Sequence, residues 1–255
     1  MTNHVSLHEV VNEANRTLQP SAFRDYCPNG LQVEGKPEVR RIVSAVTASL
    51  ETIERAIELN ADVLLVHHGY FWKGEDPVVT GMKQRRLKAL LTAGVSLLAY
   101  HLPLDAHSSL GNNAELARLL GWTVEGGLDT ADKFPVGFVG TPKPKTTIAS
   151  LSADIEALTG QALLRVGQGP QEIKRIAWCT GAAQSMIQKA YDQGVDCFIS
   201  GEISEPTVHA ANELGIHYIA AGHHATERYG VQALGAHLAQ QFGIEHQFVD
   251  LPIPV

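Results

Sequence analysis

Apolar residues recur at helical spacing near the start of the chain. Leu7, Val10, Val11, Ala14 and Leu18 fall on one stripe, and Pro20, which has no amide to donate, ends the helix they predict. An Asn29-Gly30 turn leads into a short strand from Leu31 to Val33. Unbroken apolar runs near 40–47, 62–66 and 95–100 predict buried strands, with helices near 50–59 and 81–93 between them. NNAELARLLGW, from residue 112, reads as a capped helix closed by Gly121. Between about 123 and 172 the texture becomes turn-rich around one helix and short strands. A helix near 204–214, a short strand from Ile216 to Ala221, and a terminal helix and strand through Val249 complete the pattern. Strands alternating with helices predict the α/β class, with mainly parallel strands.

A repeat organises these elements. RIVSAVTASLETIERAIELNADVLLVHHG from Arg41 matches RIAWCTGAAQSMIQKAYDQGVDCFISGEI from Arg175 without a gap, a shift of 175 − 41 = 134. Arg41, Ile42, Ala48, Ile53, Ala56 and Asp62 meet identical residues under it, and both copies read as strand, helix, strand. His68 falls opposite Glu202. A second shift, 223 − 101 = 122, lays His101 and Asp105 over His223 and Glu227. We therefore expect two similar α/β lobes: residues 1–122, carrying the HH and HLPLD motifs, and residues 173–255, carrying GHHATE. Residues 123–172 are expected to form a small inserted lobe.

Three apolar runs stop at groups that bind metals. DVLLVHHGYFW ends in His67 and His68, SLLAYHLPLDAH carries His101, Asp105 and His107, and AAGHHATERYG carries His223, His224 and Glu227. Six of the 12 histidines lie in these segments, so chance clustering is a poor explanation. Imidazole and carboxylate are common ligands of divalent transition metals, and His223 and Glu227 at i, i+4 share one helix face. The carboxyl ends of parallel strands lie along one edge, where groups distant in sequence converge.

Composition narrows the function classes. With 255 residues, 44% hydrophobic and 18% charged, the chain is an ordinary globular one. No stretch is long and apolar enough to span a bilayer, and MTNHVSLHEVVNEANRTL lacks the regions of a signal peptide, so a cytoplasmic protein without a membrane partner is expected. Cys27, Cys179 and Cys197 form no C-x-x-C pair, and are expected to be reduced and structural. A net charge of −7 argues against broad electrostatic binding to nucleic acid. The basic cluster KQRRLK, 83–88, is expected on the solvated face of a helix whose apolar side carries Leu87, Leu90 and Leu91.

The segments HHGYFWKGEDP, HLPLDAH, SGEISEPTVHAA and GHHATERYG, with NGLQVEG before them and FVDLPIP after, resemble the NIF-three-like dinuclear metal-binding family, whose members are often labelled GTP cyclohydrolase I type 2 homologues. The resemblance covers nearly the whole chain. It implies the NIF-three-like fold of two α/β lobes, two divalent metal ions per chain in the cleft between the lobes, and a toroidal homohexamer. Carried over by position, it makes His67 and His68 ligands of different ions, Asp105 the partner of His68, His223 the partner of His67, and Glu227 the carboxylate shared by both. Longer relatives carry a further central domain for which this chain is too short.

Five side chains cannot saturate two ions, which leaves positions open for water or substrate and lets the pair activate water near neutral pH. The expected function is metal-dependent hydrolysis of a small phosphorylated or nucleotide-like substrate. His101 and His224 are the candidate catalytic residues, through proton transfer or by steadying ligands, and packing alone would also suit them. His107 and Glu202 carry no assigned role. GTP cyclohydrolysis rests on the family label alone, since no G-x-x-x-x-G-K-[ST] occurs. A metal-binding or regulatory hexamer without turnover, and a ring that engages nucleic acid in repair, are the alternatives. Zinc, manganese, iron, cobalt and nickel all suit the donors.

Overall fold

Ser6 opens the first helix with a capping box: its hydroxyl accepts from the Glu9 amide (3.2 Å) while the Glu9 carboxylate accepts from the Ser6 amide (3.1 Å). The computed structural model describes residues 4–255. Two compact units emerge, one built from the chain up to Leu104 with Gly230–Leu251, the other from Asp105–Tyr229 with Pro252–Val255.

The first unit starts with β1 (Val5–Ser6), α1 (Leu7–Leu18), β2 (Gly30–Val33), β3 (Glu38–Val39), β4 (Arg41–Thr47), α2 (Leu50–Glu58), β5 (Val63–His68), α3 (Gly81–Ala93) and β6 (Ser96–Ala99). Helix α4 (Leu102–Ala106) carries the chain across the boundary. The second unit holds α5 (Asn112–Leu120), β7 (Thr123–Gly127), β8 (Phe138–Thr141), α6 (Ile148–Thr159), β9 (Leu164–Val166), β10 (Ile176–Cys179), α7 (Ile187–Asp192), β11 (Cys197–Ser200), α8 (Glu205–Leu214), β12 (His217–Ala220) and α9 (His223–Thr226). The chain returns through α10 (Arg228–Phe242) to β13 (Glu245–Phe248) in the first unit.

In the first unit the five-stranded sheet runs β13-β4-β5-β6-β2, parallel except for β2. Val43, Ala45, Leu64, Val66, Leu97 and Ala99 pack with Ile53, Ala56 and Leu90 from α2 and α3 into one core. In the second unit the six-stranded sheet runs β7-β8-β10-β11-β12-β9, with β10, β11 and β12 parallel and the outer strands antiparallel. Its residues alternate between two cores. Ile176, Trp178, Cys197, Ile199 and Ile219 join one that includes α5 and α6, while Ala177, Cys179, Phe198, Tyr218 and Ala220 join another that includes α7 and α8. Both central sheets therefore bury long apolar runs, as parallel strands must.

The repeat holds at the level of single bonds. Asp62 Oδ2 accepts from the amides of Arg40 (2.8 Å) and Arg41 (3.1 Å), and Asp196 Oδ2 accepts from those of Lys174 (2.8 Å) and Arg175 (3.0 Å), each 134 positions on. One helix further, Val63 pairs with Ser96 and Cys197 with His217, so the shift through the third strand is 217 − 96 = 121. The 122 expected from the H-x3-[DE] match applies only beyond that strand, where one residue has been gained in the turn.

Other boundaries differ from expectation. Residues 123–172, expected as an inserted lobe, supply β7, β8, α6 and β9 to the second unit, and α6 with β9 takes the place there that α1 with β2 takes in the first. Residues 230–251, expected with the second lobe, belong to the first unit because β13 pairs in parallel with β4. Leu90 is buried and Leu87 is partly buried against the first core, but Leu91 is 61% exposed, since it lies beyond the face α3 packs against the sheet. Lys83 and Arg86 of the basic cluster lie over the rings of Phe71 and Tyr70, and Lys83 also pairs with Glu75 (3.2 Å). Among the described residues no helix is long and apolar enough to cross a membrane.

Candidate functional site

His67 and His68 are the last two residues of β5, where the parallel strands end. His67 is fully buried, and its Nδ1–H donates to the carbonyl of Tyr100 (2.9 Å), an atom that can only accept. That bond sets the tautomer and leaves the lone pair on Nε2. His68 Nδ1 pairs with the hydroxyl of Thr47 at 3.2 Å. His101 follows β6, and its ring centroid lies 5.1 Å from that of His67 and 5.8 Å from that of His68. One ligand atom from each of these three histidines lies within 4.8 Å of the others, so the first unit gathers an imidazole cluster of metal-binding dimensions.

Behind His101 stands Asp25, from a turn that sequence reasoning passed over. Its Oδ1 accepts from His101 Nδ1 (2.7 Å) and from the Tyr26 amide (2.6 Å), and its Oδ2 accepts from Asn29 Nδ2 and the Leu102 amide (both 2.9 Å). Burial alone would raise the pKa of this carboxyl group, but the donors, His101 first and then Asn29, hold it down to about 2. Asn29 also accepts the His101 amide at 2.7 Å, and the ring meets Trp72 edge to face, 5.0 Å between centroids.

In the second unit His223 opens α9 and Glu227 closes it, which brings His223 Nε2 to 3.1 Å from Glu227 Oε2, as the i, i+4 spacing requires. Glu202, beyond β11, accepts from His223 Nδ1 at 2.7 Å. Burial drives the His223 imidazole toward neutrality, yet Glu227 and then Glu202 hold its pKa up to about 9. Gly181 forms the floor. With φ at +67° it occupies the left-handed region, and a Cβ there would lie 2.1 Å from Glu227 Oε1 and 3.1 Å from His223 Nε2. Asp105 is 6% exposed, and its Oδ1 accepts from Asn112 Nδ2 (2.9 Å) and Thr180 Oγ1 (3.3 Å).

His224 turns to different surroundings from His223. With Gln161, Arg228 and Pro252–Pro254 it lines a cavity of about 500 Å³ in the second unit. His107 closes a turn, its Nδ1 accepting the amides of Leu110 (3.0 Å) and Ser109 (3.3 Å). Glu202 was legible only as the repeat partner of His68. Asp25 had no periodic or motif signal.

These donors fit a divalent metal: imidazoles whose Nδ1 is held by an oxygen, and carboxylates beside a glycine whose missing side chain leaves room for them. The class defined by fold and donors is a two-unit α/β protein with groups of His, Asp and Glu that could hold metal ions. The chain belongs to the Duf34/NIF3 (NGG1p interacting factor 3) family, whose model matches residues 5–253. A Pseudomonas aeruginosa protein named GTP cyclohydrolase 1 type 2 homolog is 55% identical over 250 residues, covering 98% of this chain and 99% of its own. Its namesake from Escherichia coli (strain K12) is 49% identical over 252 residues, with 98% and 99% covered. The solved structure of the protein ybgI, described as of unknown function, matches with a TM-score of 0.94 at 48% identity over 98% of this chain and 100% of its own. TTHA1606 from Thermus thermophilus matches with a TM-score of 0.90 at 34% identity, again covering 98% and 100%.

Proposed function

We propose that this protein is a dinuclear metal-dependent hydrolase of a small phosphorylated or nucleotide-like compound. His67, His68, Asp105, His223 and Glu227 would hold two divalent ions, with Glu227 serving both, and zinc, manganese, iron, cobalt and nickel all suit this mixed donor set. The observation that carries the reading is His223 held between two carboxylates: Glu202 takes Nδ1–H, which turns Nε2 toward Glu227 above Gly181. A carboxylate behind an imidazole fixes its orientation and raises its basicity as a ligand. Tyr100 O orients His67 in the corresponding way.

A bound pair of such ions supplies Lewis acidity and a nucleophilic water near neutral pH. His101 accepts or returns the proton, and His224, with Gln161 and Arg228 on its cavity wall, contacts the substrate. The name carried by the relatives points to a nucleotide, but the chain has no phosphate-binding G-x-x-x-x-G-K-[ST] segment, so the substrate class stays broad. A cytoplasmic homohexamer is part of this reading, supported by the family resemblance and by exposed apolar side chains such as Val78, Val79 and Met82. The net charge of −7 counts against nucleic acid as the partner.

Elemental analysis of protein purified without added metal tests the centre, with two ions per chain as the expected result. Glu227→Ala should lower occupancy of both ions, and unchanged stoichiometry would sink the shared carboxylate. A screen of phosphoesters and nucleotides with the metals found should then reveal turnover. Two bound ions with no hydrolysis across the screen would favour a metal-binding or regulatory protein instead.

A further inference from the structure

Besides His101 Nδ1, Asp25 meets three fixed donors, Asn29 Nδ2 and the amides of Tyr26 and Leu102, and the two backbone amides cannot reverse. The carboxylate side chain is only 3% exposed, so water does not compete for it. An ionised carboxylate only accepts, hence His101 Nδ1 must bear a hydrogen. The other ring nitrogen, Nε2, is then the one that carries the lone pair whenever the imidazole is neutral. The backbone amide of His101 donates to Asn29 Oδ1, which anchors the residue, and its ring packs edge to face with Trp72.

From this geometry we propose that Asp25 is a positioning residue: it locks His101 in the Nδ1–H tautomer, so that Nε2 is the nitrogen that carries the lone pair. The inference deepens the proposed hydrolase, in which His101 carries the proton. In the transfer itself a proton bonds to Nε2 and leaves the attacking water, while Asp25 stays ionised and stabilises the imidazolium through Nδ1–H. Asp25 does not touch the reacting atoms.

Asp25 is not itself read as a metal ligand. Asp25, Cys27 and His101 do approach one another closely enough to hold an ion. However, both Asp25 oxygens already accept two donors each, and burial first, then the charge of Asp25, pushes the Cys27 thiol up to about 12, which disfavours the thiolate a metal would need.

The test is nitrogen NMR of protein labelled with ¹⁵N-histidine, followed upward in pH until the His101 signals stop changing. His101 is assigned by the signal lost in His101→Gln. Wild type should show a pyrrole-type Nδ1 and a pyridine-type Nε2, and the opposite tautomer in wild type would overturn the proposal without any variant. Asp25→Asn puts an amide NH₂ where a carboxylate oxygen accepted. It should therefore move His101 to the Nε2–H form or to an averaged signal, while zinc stoichiometry by elemental analysis stays at the wild-type value. An unchanged tautomer in that variant would overturn the positioning role. Zinc lost together with the tautomer would also overturn it, by making His101 a ligand. With a substrate in hand, kcat should fall by about 10²- to 10⁴-fold at unchanged KM, the range for loss of acid-base help. Wild-type protein that binds no metal but shows the expected tautomer switch would fail the hydrolase reading and leave the Asp25–His101 pairing standing.

Discussion

His67 and His223 each commit Nδ1 to an oxygen, Tyr100 O in one unit and Glu202 Oε1 in the other, so Nε2 is the nitrogen each would offer to a metal under the proposed function. The choice of oxygen matters, because a carbonyl orients a ring while a carboxylate also raises its basicity. Glu202→Gln keeps an oxygen for Nδ1–H and removes the charge. Metal affinity measured by chelator competition is expected to fall about 10- to 100-fold, with circular dichroism unchanged. Affinity equal to wild type would reduce Glu202 to a surface carboxylate that happens to lie near. At this scale the ligand candidates could be read from the chain, because histidines and carboxylates at strand ends are rare and recognisable. Asp25 could not, because its partner His101 is 76 positions away and nothing in its neighbours marks it, and Glu202 stood out only as the repeat partner of His68, with its role toward His223, 21 positions on, unmarked.

The strand–helix–strand repeat depends on a bond that each copy makes with the same atom. Asp62 and Asp196 close their units by accepting two backbone amides each, a charge-assisted arrangement worth about 1.5–3 kcal/mol per bond before solvent exposure is discounted. Asp62→Ala and Asp196→Ala should therefore destabilise by similar amounts, on the order of 1–3 kcal/mol in urea unfolding. A large effect at one site with none at the other would show that only one copy relies on the bond. A second element-level device is β13. His246 Nε2 lies 2.8 Å from Ser44 Oγ, its ring packs over Gly235 of α10, and burial lowers its pKa from 6.5. The unfolded chain then takes up this proton first as pH falls, so the contribution to stability is present above about 6.5 and is lost below it toward the folded value. His246→Gln cannot titrate, and the drop in urea midpoint between about pH 7.5 and about pH 5.5 should be smaller in the variant than in wild type. Equal drops would assign the acid sensitivity to other groups.

At the scale of the whole molecule, the chain leaves its first unit at Leu104 and returns to it at Gly230, beside the candidate ligands Asp105 and Glu227. Val78, Val79 and Met82 are 57%, 49% and 57% exposed in the chain by itself, three apolar side chains open within one short stretch. The proposed homohexamer gives them something to cover. Multi-angle light scattering should report a particle six chains in mass, and Met82→Asp should shift it toward smaller species. A monomer across working concentrations would remove the hexamer and leave these residues without a role.

Sequence by itself determined the elements. The stripe from Leu7 to Leu18, the runs near 40–47 and 62–66, and the helix closed by Gly121 all appear within a residue or two of where local periodicity and capping put them, because both depend on residues only a few positions apart. It also determined the repeat, since matched burial demands matched patterns. Tertiary structure decided which sheet each strand joined. β13 looks like any short terminal strand, yet it pairs with β4 some two hundred residues earlier, and β9 takes the edge beside β12 rather than a lobe of its own. Pairing of that kind depends on register, edge availability and packing across the whole chain, and none of these is written in the periodicity of a single segment.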